Sequence, residues 1–146
     1  MFAKLLVTAG LVVLTATIHA VGFSALLRVL MRLNALATSG FRPVTRLVIW
    51  LTCSLILIHT VEIFVWGLFY FWHGLIPDFE SAWYFSGVTY TTLGYGDLVL
   101  PTSWRMLAPL EALTGTLMCA LSAGLFFAFI SRWIKNWMER RTARDV

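Results

Sequence analysis

Residues 91–97 read TTLGYGD, and this stretch lies between two long apolar segments of the chain. Its two glycines suit a loop better than a helix. Backbone polar groups at membrane depth must be satisfied by the protein itself or by the contents of a water-lined cavity. The stretch therefore predicts a non-helical segment that lines a cavity inside a membrane protein.

The composition favours a membrane protein. Of the 146 residues, 60% are hydrophobic and 12% are charged, whereas a soluble domain carries about a quarter charged residues. The net charge of +4 does not predict a nucleic-acid partner, because the basic residues lie beside apolar segments rather than along one polar face.

Three apolar segments, residues 5–30, 47–71 and 106–130, are long enough to cross a bilayer as helices of roughly 37 to 39 Å. Residues 79–90, with Asp78 as N-cap, predict a helix of about 18 Å, which is too short to cross. We therefore expect an all-α integral membrane protein with three transmembrane helices and a re-entrant half-length helix. The predicted divisions are an N-terminal helix (1–33), a cytoplasmic connection (34–46), a second helix (47–72), the short helix (79–90), a last helix (104–131) and a basic cytoplasmic tail (132–146).

The first apolar segment has a second interpretation, as a cleaved secretory signal peptide. Lys4 would then be its basic start, and cleavage would follow Ala20. Ile18 is a poor residue for that cleavage signal, and the apolar run continues well past Ala20. These features favour an uncleaved helix.

The distribution of basic residues predicts the orientation in the cell membrane. Only Lys4 and Arg105 would lie outside if the 34–46 connection and the tail are cytoplasmic. The other nine of the 11 Lys and Arg residues would then lie inside: Arg28, Arg32, Arg42, Arg46, Arg132, Lys135, Arg140, Arg141 and Arg144. The positive-inside rule therefore places the N-terminus outside and the C-terminus in the cytoplasm. We expect the basic tail to contact anionic membrane lipid.

The order of the predicted elements over residues 47–131 is a long helix, a half-length helix followed by TTLGYGD, and a second long helix. This order resembles the pore unit of the potassium channel family. In that family, carbonyl oxygens from four chains replace the hydration shell of the ion. The match has one departure, Leu93, where valine is usual. The resemblance implies a homotetramer that conducts K⁺ passively, with residues 91–97 as its selectivity filter and no cofactor besides the permeant ion.

The resemblance also implies roles for individual residues. K⁺ would bind to the Thr92 hydroxyl and to the carbonyls of Thr92, Leu93, Gly94 and Tyr95, with Gly96 at the outer mouth. Tyr84 stands where the family often has a tryptophan that hydrogen-bonds an aspartate, here Asp97, and Val88 stands where some bacterial members have a glutamate. The residues expected to support the filter are Thr91, Asp97, Tyr84, Val88 and Glu111.

The last helix is similar to the inner helix of bacterial inward-rectifier-type channels, although this chain has an additional N-terminal helix and lacks their cytoplasmic domain. Gly115 matches the hinge position of that helix, and Phe127 matches a bulky residue that closes the cytoplasmic end. The alternative is that Gly115 is a packing residue and Phe127 faces lipid.

Two carboxyl groups, Glu62 and Glu111, lie inside apolar segments, where a carboxyl group is costly and indicates a function. Each is expected either to be buried by hydrogen bonds to the pore helix or, for Glu62 with His59 three residues before it, to sense protons. The three histidines are far apart in the sequence, so we expect no metal cluster among them. No catalytic constellation is present, and we expect no enzyme.

Three other functions stay open from the sequence: a non-selective cation channel, the pore subunit of a K⁺ transporter, and a non-conducting modulatory subunit. Such transporters carry several degenerate pore loops in one chain, so a single well-kept loop argues against that class. The gating stimulus and the packing partner of the first helix are not predicted.

Overall fold

A computed structural model describes residues 2–32 and 41–142 of the chain. Its elements are α1 (Phe2–Arg32), α2 (Phe41–Trp72), α3 (Phe79–Tyr90), a 3-10 turn (Thr102–Trp104) and α4 (Leu107–Thr142). No strand occurs in these two ranges. The helices α1, α2 and α4 are long and apolar enough to cross a membrane, whereas α3 has only 12 residues. The predicted all-α membrane fold is confirmed.

The second helix begins earlier than predicted, at Phe41 rather than residue 47. Pro43 falls in the first turn of α2. The first N–H groups of a helix have no partner within it, so a proline costs little there. Residues 34–40 of the predicted connection lie outside the described residues.

The last helix is shifted and longer than predicted. It begins at Leu107 rather than residue 104, because residues 102–104 form a 3-10 turn after Pro101. It continues to Thr142 instead of ending at residue 131, since no glycine or proline follows Gly124. Basic residues are also favoured near the C-terminal end of a helix by its dipole.

The first helix packs against α2 and α4 of its own chain. Its buried residues recur at helical spacing and form one face: Thr8, Leu11, Thr15, His19, Leu26 and Leu30. Within this face, the Trp66 indole nitrogen donates to the Thr15 hydroxyl at 2.9 Å. The sequence did not predict what the first helix packs against, and in the structure it packs against α2 and α4.

Two hydrophobic clusters lie at opposite ends of the bundle. One surrounds Trp66, Phe85 and Leu107 near the 91–97 loop, and the other joins Leu26 to Phe129 at the far end. Buried polar side chains lie between them along the helices. At the loop end, the Lys4 ammonium donates to the Ser103 carbonyl at 2.8 Å and lies 4.5 Å from the Trp104 ring centroid. The N-terminal end of α1 and the segment after the loop therefore share one end of the bundle.

The short helix α3 packs closely on α2 at Gly67. A Cβ atom at this position would lie 2.9 Å from the Trp83 Cα and 3.2 Å from its backbone nitrogen. Both neighbours are backbone atoms, so a side chain could fit only if the two helices moved apart. Gly67 therefore sets how near α3 lies to its supporting helix.

We expect Gly67→Ala to destabilise the protein by about 1–3 kcal/mol, because the added methyl group overpacks the contact between α2 and α3. Thermal unfolding in detergent measures this as a lower midpoint. Gly124→Ala is the matched control, since nothing lies within 4 Å of a Cβ there and alanine is the better helix former by about 1 kcal/mol. An equal loss in both variants would contradict the packing role of Gly67.

Candidate functional site

The 91–97 loop continues directly from the C-terminal end of α3. Asp78 caps the other end of this helix by accepting a hydrogen bond from the Ser81 backbone N–H at 2.8 Å. Hydrogen bonding to Ser81 lowers the pKa of Asp78. The negative charge therefore lies at the N-terminal end of α3, where the helix dipole favours it. The partly negative C-terminal end of the helix points at the loop.

The loop uses its N–H groups to bond back to α3. The backbone nitrogens of residues 91–94 donate to the carbonyls of residues 87–89 at 2.9–3.2 Å. In the described ranges, no hydrogen bond reaches the carbonyls of residues 92–96. Residues 92–96 are exposed on the single chain, so these oxygens remain available to a group from outside the chain.

The backbone of the loop alternates in handedness. Positive φ angles occur at Thr92 (60°), Gly94 (57°) and Gly96 (78°), but not at Leu93 or Tyr95 between them. In an extended strand successive carbonyls point to opposite sides, whereas alternation of handedness turns them toward the same side. Added Cβ atoms at Gly94 and Gly96 would meet nothing closer than 4.0 Å, so it is the φ angle that requires glycine.

Thr92 is the one residue other than glycine with a positive φ in the described ranges. A β-branched residue in this region is a genuine outlier. Such strain costs about 1–3 kcal/mol and persists only where the surroundings determine the conformation. The hydrogen bonds from the loop back to α3 supply that constraint.

Most of the predicted supporting residues lie where they can hold the loop. The Tyr84 hydroxyl donates to the Asp97 carboxylate at 2.8 Å, and this hydrogen bond raises the pKa of Tyr84. The Thr91 hydroxyl donates to the Gly87 carbonyl at 2.6 Å. Val88 contributes its backbone carbonyl, which accepts two of the loop N–H groups. Both ends of the loop are thereby tied to α3.

Glu111, the remaining predicted supporting residue, joins three helices. It is fully buried on α4 and lies 2.6 Å from the Tyr70 hydroxyl of α2 and 2.5 Å from the Ser86 hydroxyl of α3. We refer to Tyr70, Ser86 and Glu111 as the Glu111 cluster.

The number of available protons indicates that Glu111 is neutral. Ser86 has one hydroxyl proton, yet both Glu111 Oε1 and the Ile63 carbonyl oxygen, 2.9 Å away, lie within its reach. The Ile63 carbonyl can only accept. All contacts are satisfied when Ser86 donates to Ile63, a protonated Glu111 donates to Ser86, and Tyr70 donates to the other Glu111 oxygen. A neutral carboxyl group also avoids the cost of a buried charge.

Glu62 joins the end of α3 to the other helices. It is fully buried and accepts a hydrogen bond from the Tyr90 hydroxyl. Its oxygens also lie 2.9 Å from His19 Nδ1 and 3.2 Å from His59 Nδ1, while His59 Nε2 lies 3.0 Å from the Ser122 hydroxyl. We refer to these five residues as the Glu62 cluster. It has one or two members on each of the four helices.

The cluster corrects the prediction that the histidines lie far apart. The rings of His19 and His59 are only 5.4 Å apart, because α1 packs antiparallel to α2 with His19 on its buried face. His73 alone lies elsewhere, directly after the last residue of α2. The sequence carried one signal of this arrangement, the helical spacing of His19 with Thr15 and Leu11.

Gly115 and Phe127 have different surroundings. A Cβ atom on Gly115 would collide with the Tyr90 backbone carbonyl and approach its ring to 3.0 Å. Glycine is thus required for α4 to pass the end of α3, which is a packing role. Phe127 is 74% exposed on the single chain. The hinge and gate assignments stay predictions.

Residues 44–132 match the sequence model of a family described as ion channel. The matched segment covers more than half of the 146 residues and contains α3, the loop, the Glu111 cluster and every member of the Glu62 cluster except His19. The chain belongs to the ion channel family. This ion channel is a multi-pass membrane protein, and passive conduction of ions is the activity of its family. Neither a curated protein nor a solved structure matches the chain.

Sequence reasoning missed several residues that position the loop of this channel. His19, Ser86 and Tyr90 contact the two buried carboxyl groups, and Gly67 allows α3 to lie close to α2. A serine or tyrosine inside an apolar helix gives no local sign of its partner. Ser86 and Tyr90 are four residues apart on α3, however, and this spacing does place them on one face.

The two buried carboxyl groups should respond differently to replacement by glutamine. Glu111→Gln preserves every contact, because the amide N–H₂ donates to Ser86 and the amide oxygen accepts from Tyr70. Glu62→Gln places an amide donor against groups that themselves donate and removes charge-assisted hydrogen bonds. We expect Glu62→Gln to lose about 1–3 kcal/mol of unfolding free energy and Glu111→Gln to lose little.

Thermal unfolding in detergent compares the two variants, with Glu111→Ala as the reference for complete loss of that side chain. If Glu111→Gln is as unstable as Glu111→Ala, Glu111 is charged and the proton assignment is wrong.

Proposed function

We propose that this ion channel is selective for potassium and conducts it passively. The observation that carries the proposal is the state of the backbone in the 91–97 loop. The N–H groups of residues 91–94 are occupied by carbonyls of α3, and the φ angles of residues 92–96 alternate in sign. That combination leaves a row of carbonyl oxygens on one side, and rows of carbonyls replace the hydration shell of K⁺ in selective filters.

The proposed ion ligands are the Thr92 hydroxyl and the carbonyls of Thr92, Leu93, Gly94 and Tyr95, with Gly96 at the outer mouth. Leu93 differs from the usual valine only in its side chain. The carbonyl rather than the side chain contacts the ion, so we expect this difference to affect packing behind the filter and not ion coordination. K⁺ is the permeant ion here, and the proposal requires no cofactor.

The proposed assembly is a homotetramer, because one loop supplies only a quarter of each ring of oxygens. The surface of the single chain supports it. Leu93 and Tyr95 are 56% and 67% exposed, and a groove of about 650 Å³ beside the loop is lined by Phe85, Val88, Leu98 and Ala112 among others. In a closed tetramer, neighbouring chains would cover these apolar surfaces.

The proposed orientation has the N-terminus outside the cell and the C-terminus in the cytoplasm. Arg28 and Arg32 on α1, Arg46 on α2 and the basic residues after Ser131 on α4 lie toward the end of the bundle opposite the loop. Lys4 lies at the loop end, in contact with Ser103 and Trp104. A cytoplasmic basic end follows the positive-inside rule, and its side chains are suited to contact with anionic lipid.

Two observations favour the buried anchoring role for Glu62 and His59 over proton sensing. Glu62 holds the last residue of α3, and His59 bridges to Ser122 of α4. Both contacts fix the position of the helix from which the filter continues. We therefore assign these residues to support of the filter.

Flux from proteoliposomes separates the proposal from its alternatives. With the purified channel reconstituted, we expect entry of the potassium surrogate Tl⁺ or Rb⁺ and no comparable flux of Na⁺. Equal Na⁺ flux would indicate a non-selective cation channel, and absence of any flux would indicate a modulatory subunit. Flux that stops when a driving ion is removed, despite a potassium gradient, would indicate a transporter.

The Tyr84–Asp97 hydrogen bond should stabilise the conducting form of the filter. We expect Tyr84→Phe and Asp97→Asn each to lower the ratio of Rb⁺ to Na⁺ flux, since a hydrogen bond to a charged group is worth about 1.5–3 kcal/mol. The double variant should be no worse than the more affected single variant, because both remove the same interaction. Losses that add fully would show that the two residues act independently.

A further inference from the structure

We propose that His19, His59 and Glu62 form a binding site for a divalent transition-metal ion such as Zn²⁺. Each residue offers one ligand atom, and the three atoms all lie within 4.8 Å of one another. The ligands come from α1 and α2, so a bound ion would join the additional N-terminal helix to the pore unit. This site is separate from the 91–97 loop and takes a different class of ion.

The hydrogen bonds of the cluster already direct the ligand atoms toward one another. His19 Nδ1 lies 2.9 Å from Glu62 Oε1, and His59 Nδ1 lies 3.2 Å from Glu62 Oε2. A tetrahedral zinc site has bonds of about 2.0–2.2 Å, which separate neighbouring ligand atoms by roughly 3.3–3.5 Å. Small movements of the three side chains would therefore admit an ion in place of the two hydrogen bonds.

The imidazole protons can be accommodated when an ion binds. The metal takes the lone pair on each Nδ1, and the single proton of each neutral ring then resides on Nε2. For His59, Nε2 lies 3.0 Å from the Ser122 hydroxyl oxygen, which can accept a hydrogen bond from this N–H group. No net proton is released, and Glu62 supplies the negative charge that partly offsets the ion.

The other ring nitrogen of His19 is not part of the proposed site. This Nε2 atom is buried and has no hydrogen-bond partner among the described residues. With the ion on Nδ1, Nε2 carries the ring proton, and a buried N–H without a protein partner calls for a bound water molecule. The site itself therefore rests on the positions of the three ligand atoms.

The ligand set determines the class of ion. Two imidazoles with one carboxylate suit Zn²⁺, Co²⁺, Ni²⁺ or Cu²⁺, whereas Mg²⁺ and Ca²⁺ prefer sites made wholly of oxygen. In a tetrahedral site, the fourth position is left for a water molecule. His59 has the most accessible side chain of the three ligands, at 17% exposure, and marks the path of entry.

Binding at this site would regulate conduction, a consequence that rests on the channel activity of the chain. Glu62 Oε2 also accepts the hydroxyl of Tyr90, the last residue of α3. An ion that takes this oxygen competes with the Tyr90 hydrogen bond and loosens the hold on the helix that precedes the filter. We expect metal binding to slow conduction.

The test is a titration of the full chain in detergent with Co²⁺ after treatment with a chelator, followed by visible absorption. We expect one Co²⁺ per chain in a site that Zn²⁺ displaces. His19→Gln and His59→Gln should each weaken binding by at least about tenfold, or 1.4 kcal/mol. His73→Gln is the matched control, because it removes an exposed histidine that directly follows α2 and lies outside the Glu62 cluster. Binding that is absent from the wild type, or equally strong in the His19 and His59 variants, would overturn the site.

Two further measurements test the proposal even if some of the variants do not fold. X-ray absorption at the zinc edge of the wild-type protein should give a first shell with two imidazole nitrogens, and a shell of oxygen alone would overturn the proposal. Zn²⁺ should slow flux through wild-type and His73→Gln channels but not through His19→Gln. Unchanged flux in a protein that holds the ion would overturn the regulatory consequence, and neither result depends on which cation the filter selects.

Discussion

The convergence of several hydrogen-bond donors on the buried Glu62 carboxylate is the interaction on which the arrangement of the four helices depends. Within a membrane, helices gain little from hydrophobic association with one another, because lipid is as apolar as leucine. Polar contacts and close backbone approaches must therefore specify which faces meet. Glu62 does this for α1 through His19 and for α3 through Tyr90, while His59 extends the contact to Ser122 of α4. A carboxylate without these donors would leave an uncompensated charge at membrane depth.

Polar contacts to α3 also explain how the strained 91–97 loop keeps its conformation. The helix before the loop is held at three points along its length: Asp78 caps its start, Glu111 contacts Ser86 at its middle, and Glu62 contacts Tyr90 at its end. A helix fixed in this way presents the carbonyls of its last turn in constant positions. Those carbonyls orient the loop by binding its N–H groups, and the free carbonyls of the loop then face the opposite direction. The proposed ion coordination is thus linked to residues outside the loop.

Much of this architecture could be predicted because its signals are local. The range of α3 follows from the Asp78 cap and the glycine-rich loop after it, and the Tyr84–Asp97 hydrogen bond follows from a family pattern. The start of α2 was predicted six residues too late, since the apolar run begins at Leu47 but the helix already begins at Phe41 and tolerates Pro43 in its first turn. The Glu62 cluster was only half predicted, since His59 is a helical neighbour of Glu62 but His19 comes from another helix. The neutral state of Glu111 could not be predicted from the sequence, because it depends on which protons and acceptors lie around Ser86.

We propose that the carbonyl oxygens of residues 92–95 bind dehydrated potassium on the axis of a tetramer. Anomalous diffraction from crystals of the assembled channel grown with Tl⁺ can locate these ions, because thallium substitutes for potassium and scatters strongly. We expect a row of Tl⁺ peaks on the four-fold axis, at the levels of these carbonyls. Crystals that place Tl⁺ only elsewhere, or that lack a four-fold arrangement of the loops, would contradict it.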